Sequence, residues 1–115
     1  MKRNRAEKIV RQRLIEKGFQ LDNQRDERCN GVDIVAMKNG KVLLIEVKKA
    51  KLHNRAWQVD PVSKIQQTTC NAIAIVLPNG IVIVEPMVQH LKLCGKNGVR
   101  YFTEMVNVTR LIHGR

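Results

Sequence analysis

Two acids and an amine stand out in this sequence as a group able to do chemistry. They are Asp33, then Glu46 and Lys48 with one residue between them. Carboxylates are hard oxygen ligands, and two at short range can share one Mg²⁺ that keeps several waters available for reaction. A lysine beside such a cation can orient an attacking water or steady the charge that builds on a phosphate. The plainer role for the same residues is a surface salt bridge in which Lys48 neutralises one acid. Which role applies depends on whether the chain brings positions 33 and 46 together.

Asn39-Gly40 predicts that it does. This dipeptide is the strongest short signal for a two-residue hairpin turn, and it lies between two apolar runs, Val32–Lys38 and Lys41–Val47. Lys38 then pairs with Lys41, and the same register sets Asp33 opposite Glu46. Directly opposed residues share a face with Cβ atoms about 4.5–5.5 Å apart. Lys48 lies two residues beyond Glu46 and so shares that face, together with Val35, Met37, Val42 and Leu44. The opposite face would be wholly apolar: Val32, Ile34, Ala36, Leu43, Ile45 and Val47. Two acids side by side in a sheet repel, and burying them adds desolvation. A structural role explains such an arrangement poorly, whereas a divalent cation removes the conflict.

The remaining elements must hold that hairpin in place. Residues 4–17 read as a helix with Ala6, Ile9, Val10 and Leu14 on one stripe, Asn4 as N-cap and Gly18 at the C-terminal end. A short strand is expected at 19–22 and a polar loop at 23–31. Residues 48–60 read as a mobile basic loop. A helix is expected from Pro61 to about Cys70, a buried strand at Ala72–Leu77, a turn at Pro78-Asn79-Gly80 and a strand at Ile81–Glu85. A short helix from Pro86 to about Leu93 and an edge strand at Val99–Phe102 complete the pattern. The order predicts an α/β layer structure, one sheet with helices on its faces, in a single domain over residues 1–115.

Composition narrows the partner. The 115 residues hold 21 Lys and Arg against 10 Asp and Glu, a formal net charge of +11. With 43% apolar residues the chain can build a core, so it is not a disordered basic tail. The excess charge concentrates at 1–19, 48–64 and 86–115, a distribution that attracts polyanions and above all a phosphate backbone. Only 3% of residues are aromatic, which argues against recognition by rows of base-stacking rings. The expected phosphate contacts are Lys2, Arg3, Arg5, Arg11, Lys49, Lys51 and Arg55, with Arg25 and Arg28 gripping backbone from the loop ahead of Asp33. No apolar run reaches the roughly 18–20 residues of a membrane span, and the N-terminus leads into an amphipathic segment. A cytoplasmic protein with no membrane contact is therefore expected. Cys29, Cys70 and Cys94 are odd in number and lack CxxC spacing, so they are expected as reduced thiols. Trp57 is expected to anchor its loop, and His90 and His113 to be structural or exposed.

The segments Gly31-Val32-Asp33 and Ile45-Glu46-Val47-Lys48 resemble the D…ExK signature of the PD-(D/E)xK nuclease superfamily. Glu7-Lys8-Ile9-Val10, with Leu14 and Lys17-Gly18-Phe19, resembles the first helix of archaeal-type Holliday junction resolvases, as does the strand pair with its Lys-Asn-Gly turn. The resemblance covers about residues 3–90. Val32 replaces the proline of the superfamily's name, and the segment after Lys48 is longer than in the resolvases. The resemblance implies a restriction-endonuclease-like fold, a central mixed β-sheet flanked by helices with an αβββαβ core. It also implies Mg²⁺-dependent cleavage of DNA phosphodiesters, with Mn²⁺ as a substitute. Asp33 and Glu46 would then bind metal with the Val47 carbonyl as a further ligand, Lys48 would be the catalytic lysine, and Glu7 would assist the metal or its water. For Glu7 the plainer role is an acid complementing the helix dipole. Gln66 or Gln67 would supply a polar side chain near the site. The implied substrate is branched DNA. Two coordinated cuts would need a symmetric homodimer, with Ile81–Val84 and Met87–Leu93 as candidate interface. The alternatives are a nicking, restriction-like or phage-type endonuclease on duplex or flap DNA, and a non-catalytic DNA-binding module.

Overall fold

The computed structural model describes residues 4–22, 31–54 and 56–102. Helix α1 spans Arg5–Glu16. The Asn4 side chain accepts from the Glu7 N–H at 2.8 Å, as expected of an N-cap. At the other end Gly18 has φ +91°, and the N–H groups of Gly18 and Phe19 donate to the carbonyls of Ile15 and Leu14, each at 3.0 Å. This closure needs a left-handed residue after the cap, which glycine adopts without a Cβ penalty.

Strands β1 (Gln20–Leu21), β2 (Ile34–Lys38) and β3 (Lys41–His53) follow. The β2–β3 ladder pairs Lys38 with Lys41 and Ile34 with Ile45, the register that the turn dictated. Asn39 and Gly40 both take positive φ, 51° and 78°, as a hairpin turn matching the strand twist requires. Next come β4 (Ala56–Val59), α2 (Lys64–Thr69), β5 (Ala72–Val76), β6 (Val82–Pro86), α3 (Met87–Lys92) and β7 (Arg100–Phe102). The sheet runs β1-β2-β3-β4-β7, and β5 and β6 branch from β3. β5 lies parallel to β3 and the other pairings are antiparallel, so the sheet is mixed.

Apolar clusters cover both sides of the sheet. On one side Ala6, Val10 and Leu14 of α1 pack on Ile34, Ala36 and Ile45 of the hairpin and Ala72, Ala74 and Val76 of β5. On the other, Val35, Ile73 and Ile75 pack with Trp57, Val59, Val62 and Met87. Among the described residues no helix is long and apolar enough to cross a membrane.

The structure corrects several expectations. Residues 48–60 are not a loop: β3 continues to His53 and returns as β4, with Ala50 opposite Val59 and Leu52 opposite Trp57. The lysines hide an alternation in which Ala50, Trp57 and Val59 are buried and Lys49 and Lys51 exposed. Asn54, at φ 49°, makes the turn. Trp57 is an anchor, 7% exposed, but within a strand. Val32 does not join the α1 side; it packs with Val35, because β2 begins only at Ile34 and the bend at residue 33 breaks the alternation. Helix α2 starts later than Pro61, at the point where the Ser63 side chain accepts from the Gln66 N–H. Pro86 serves as N-cap of α3 rather than as its first residue. His90 is wholly buried, the structural of the two roles expected for it.

Candidate active site

β3 changes partners along its length. β2 pairs with it only as far as Ile45, and β4 only from Ala50. In between, residues 46 to 49 are paired with β5 alone. Into this gap the chain sets Asp33. Its backbone N–H donates to the Ile45 carbonyl at 3.0 Å, and its carboxylate accepts the Val47 N–H at 2.8 Å. A side chain thus replaces the missing strand partner, which fixes the Asp33 carboxylate at the edge of β3. Gly31 lets the approach to Asp33 run close to α2: its φ is +83°, and a Cβ there would sit 3.4 Å from Gln66 Cγ.

Glu46 is 5% exposed, on the interior side that carries Val35 and Ile73. Its Oε1 is buried with no hydrogen-bond partner among the described residues, and its Oε2 lies 3.9 Å from Lys48 Nζ. Burial, then the Asp33 charge, then a hydrogen bond to Asp33 push the Glu46 carboxyl from 4.5 up to about 8. Lys48 opposes the shift and is outweighed. At the outer limit of an ion pair, with its side chain 24% exposed, Lys48 cannot offset both desolvation and a carboxylate in contact. The Glu46 carboxyl therefore keeps its proton up to about pH 8, where as an anion it would face both burial and the Asp33 charge.

The other proposed site residues are placed as follows. Glu7 is half-buried in the first turn of α1, where its Oε1 lies 3.5 Å from the Asn4 amide; its charge also raises the Glu46 carboxyl, more weakly than burial and Asp33 do. Among the described residues no three His, Cys, Asp or Glu side chains group as a metal cage, so the acid pair stands without a third such ligand. Val47 is half-buried, paired with Ala74 of β5. Gln66 is half-buried beside Gly31, and its Oε1 accepts from Ser63 Oγ at 2.5 Å. Gln67 is turned away to the Val62 carbonyl at 3.0 Å. Arg11 is buried and its Nη2 donates to the Asp33 carbonyl at 3.4 Å. Arg5 and Lys49 are exposed and line one groove, and exposed Lys51 lies 3.5 Å from an Asp60 oxygen. Lys2, Arg3, Arg25, Arg28 and Arg55 lie outside the described residues, as do Cys29 and His113.

Sequence reasoning missed a second polar cluster on the same face. Glu46 is in register with Ile73, and Ile73 with Glu85. Glu85 accepts from Arg100 Nη1, and His90 Nδ1 lies 3.3 Å from Glu85 and 3.2 Å from Arg100. All three residues are less than a tenth exposed. Burial first, then the Lys48 charge, lowers the His90 pKa, which keeps the ring neutral. Burial likewise lowers that of Arg100. The one signal available was an acid at the end of the continuous apolar run Ile81–Val84.

A mixed sheet flanked by helices, with an acid-acid-lysine group where its central strand changes partners, defines the restriction-endonuclease-like α/β class. No protein-family model matches the sequence, and no curated protein matches it. Among solved structures the fold is similar to that of a bacterial homing endonuclease, with a TM-score of 0.68 at 16% identity, over 87% of this chain and 71% of that one.

Proposed function

We propose that this chain is a divalent-metal-dependent DNA endonuclease. The observation that carries the reading is the pair of half-buried Asp33 and buried Glu46 beside Lys48, in the one stretch of β3 flanked by neither β2 nor β4. The donor set fits a hard divalent ion: two carboxylates in contact, one with an oxygen that no group among the described residues satisfies. Asp33 and Glu46 would hold Mg²⁺ or Mn²⁺, with the Val47 carbonyl as a further ligand. When bound, the ion supplies a more acidic water and a counter-charge for the phosphate. Asp33 is held in place by the Val47 N–H. Lys48 sets a positive charge beside the phosphate as water attacks phosphorus in line and the P–O bond opposite breaks. Glu7 approaches from α1 and adds negative charge toward Glu46. Exposed Arg5, Lys49 and Lys51 meet the DNA backbone, in keeping with the net charge of +11.

The substrate we favour is branched DNA, cut in pairs by a symmetric homodimer. Val84 on β6 and Val88 and Leu93 on or beside α3 are 42%, 66% and 54% exposed and offer an apolar surface for the second copy. A second reading, nicking or restriction-like cleavage of duplex or flap DNA, is favoured by the β3–β4 hairpin, which extends a basic arm beyond the site. A panel of four-way junction, flap and plain duplex, incubated with Mg²⁺, separates the two. Preferential cutting of the junction supports the first, and cutting of duplex or flap the second. Binding in EDTA with no cleavage of any of them in Mg²⁺ or Mn²⁺ would leave a DNA-binding module and overturn both.

A further inference from the structure

A groove of about 480 Å³ opens between the start of α1, Lys49 and Ala50 of β3, and the end of β5. Its floor is apolar: Ala6, Ile9, Val76, Leu77 and Pro78. Among the described residues the cations that line it are Arg5 and Lys49, both exposed, and no acid lines it. Lys49 follows Lys48 directly, and successive residues of a strand project to opposite faces about 3.3 Å apart along it. Lys49 therefore faces away from Glu46 and Lys48 on the same short stretch of β3, while Ala50 and Leu77, from the cluster on the acid pair's side, also line the groove.

The two halves of this lining ask for different things. Arg5 and Lys49 suit a phosphate. The apolar floor suits a flat or aliphatic group taken out of water, and the volume lies in the usual range of sites that enclose a small organic ligand, about 300–1,000 Å³. A phosphate of intact duplex DNA would engage the cations and leave the floor empty, because its base is stacked and paired. A nucleotide that has left the stack carries both a phosphate and an exposed base face.

We propose that this groove takes one unpaired nucleotide of the DNA strand next to the acid pair, its phosphate between Arg5 and Lys49 and its base against Ile9 and Pro78, above buried Val76 and Leu77. The inference rests on the DNA-binding part of the function proposed above and deepens it. It makes the substrate DNA with an unpaired nucleotide beside the point of action, as occurs at junctions, flaps and overhangs.

The test is equilibrium binding by fluorescence anisotropy in EDTA, where nothing is cut. The probes are a blunt duplex and the same duplex with a three-nucleotide single-stranded overhang. The wild-type chain should bind the overhang duplex about fivefold tighter or more, the gain from taking one base face out of water. Asn79 is exposed at the groove's rim, so Asn79→Trp fills the groove without changing charge. It should bring the two affinities within about twofold while blunt-duplex binding stays at the wild-type level, which also shows that the variant is folded. Should Asn79→Trp not fold, Arg5→Gln with Lys49→Gln is read by the ratio of the two affinities alone, with the fold checked by circular dichroism: both affinities fall with the lost phosphate contacts, and the overhang preference should fall to within about twofold. Equal wild-type affinities, or a preference that survives in the folded variant, would overturn the proposal. Absence of cleavage in Mg²⁺ would remove the nuclease assignment and leave the groove standing. Equal binding of both probes by a chain that still cuts DNA would do the reverse.

Discussion

Replacing Glu46 by glutamine should make the metal-free protein more stable while removing its activity. Glutamine keeps the shape of the side chain and cannot ionise. In the wild type the folded carboxyl titrates at about 8 against an ordinary 4.5. Between those values the folded chain binds more protons than the unfolded chain, so stability falls as pH rises. At about 1.4 kcal/mol for each tenfold change in proton affinity, the ionised group costs the folded state up to about 5 kcal/mol above pH 8. That is comparable to the whole stability of a marginal domain, about 5–15 kcal/mol. The effect is fully absent below about pH 4.5 and fully present above pH 8. Urea denaturation in EDTA at pH 5 and pH 9 measures it. The wild type should lose several kcal/mol across the interval and Glu46→Gln much less, so that the variant is the more stable protein at pH 9. Mg²⁺ should recover part of the loss in the wild type and none in the variant, since a ligand of the folded state stabilises it by mass action. Parallel pH curves for the two proteins would refute the reasoning, because they would mean that Glu46 is neither desolvated nor opposed by Asp33.

Other outcomes follow from the same geometry. Asp33→Ala should abolish cleavage of every DNA in the panel while changing affinity in EDTA by less than about threefold, since Asp33 is expected to contribute no favourable phosphate contact; lost binding together with lost fold, read by circular dichroism, would count against its assignment. DNA affinity should fall steeply with added salt, and Lys49→Ala should lower the slope of log affinity against log salt by about one; a flat salt dependence would contradict the phosphate contacts. Arg100→Met should cost about 3–5 kcal/mol in urea denaturation, because it leaves Glu85 buried beside a neutral imidazole; a cost under about 1 kcal/mol would show that water reaches the cluster. Trp57→Ala should cost about 3–5 kcal/mol, the usual loss for a buried tryptophan, which would set the β3–β4 hairpin apart from a mobile loop.

Much of this molecule was legible in one dimension because its signals are local. An Asn-Gly turn has few backbone solutions, so the register of β2 and β3 followed by counting as far as Ile34 opposite Ile45, while Asp33 lies one residue outside that ladder. Asn4 and Gly18 bracket α1 because capping is settled within one helical turn. The buried run at Ala72–Val76 announced a strand covered on both faces. The apolar alternation of 48–60 was less readable, since lysines that face solvent mask Ala50, Trp57 and Val59, which find their partners only across a hairpin and against β7. Pairing between distant segments leaves little trace in the sequence of either one.

The chain order alone therefore determined which groups could meet: two acids across a tight turn, an amine two residues on, and cations gathered at the segments around them. The tertiary structure decided what that meeting costs and what surrounds it. Only packing sealed Glu46 under the sheet and raised its carboxyl, opened the gap in which Asp33 replaces a strand partner, and buried Glu85, His90 and Arg100 on the same face. Turn geometry and side-chain alternation act over a few bonds and are written in neighbouring residues. Desolvation, charge coupling and cavity shape depend on which distant residues exclude water from a point in space, and that is known only once the chain has closed around it.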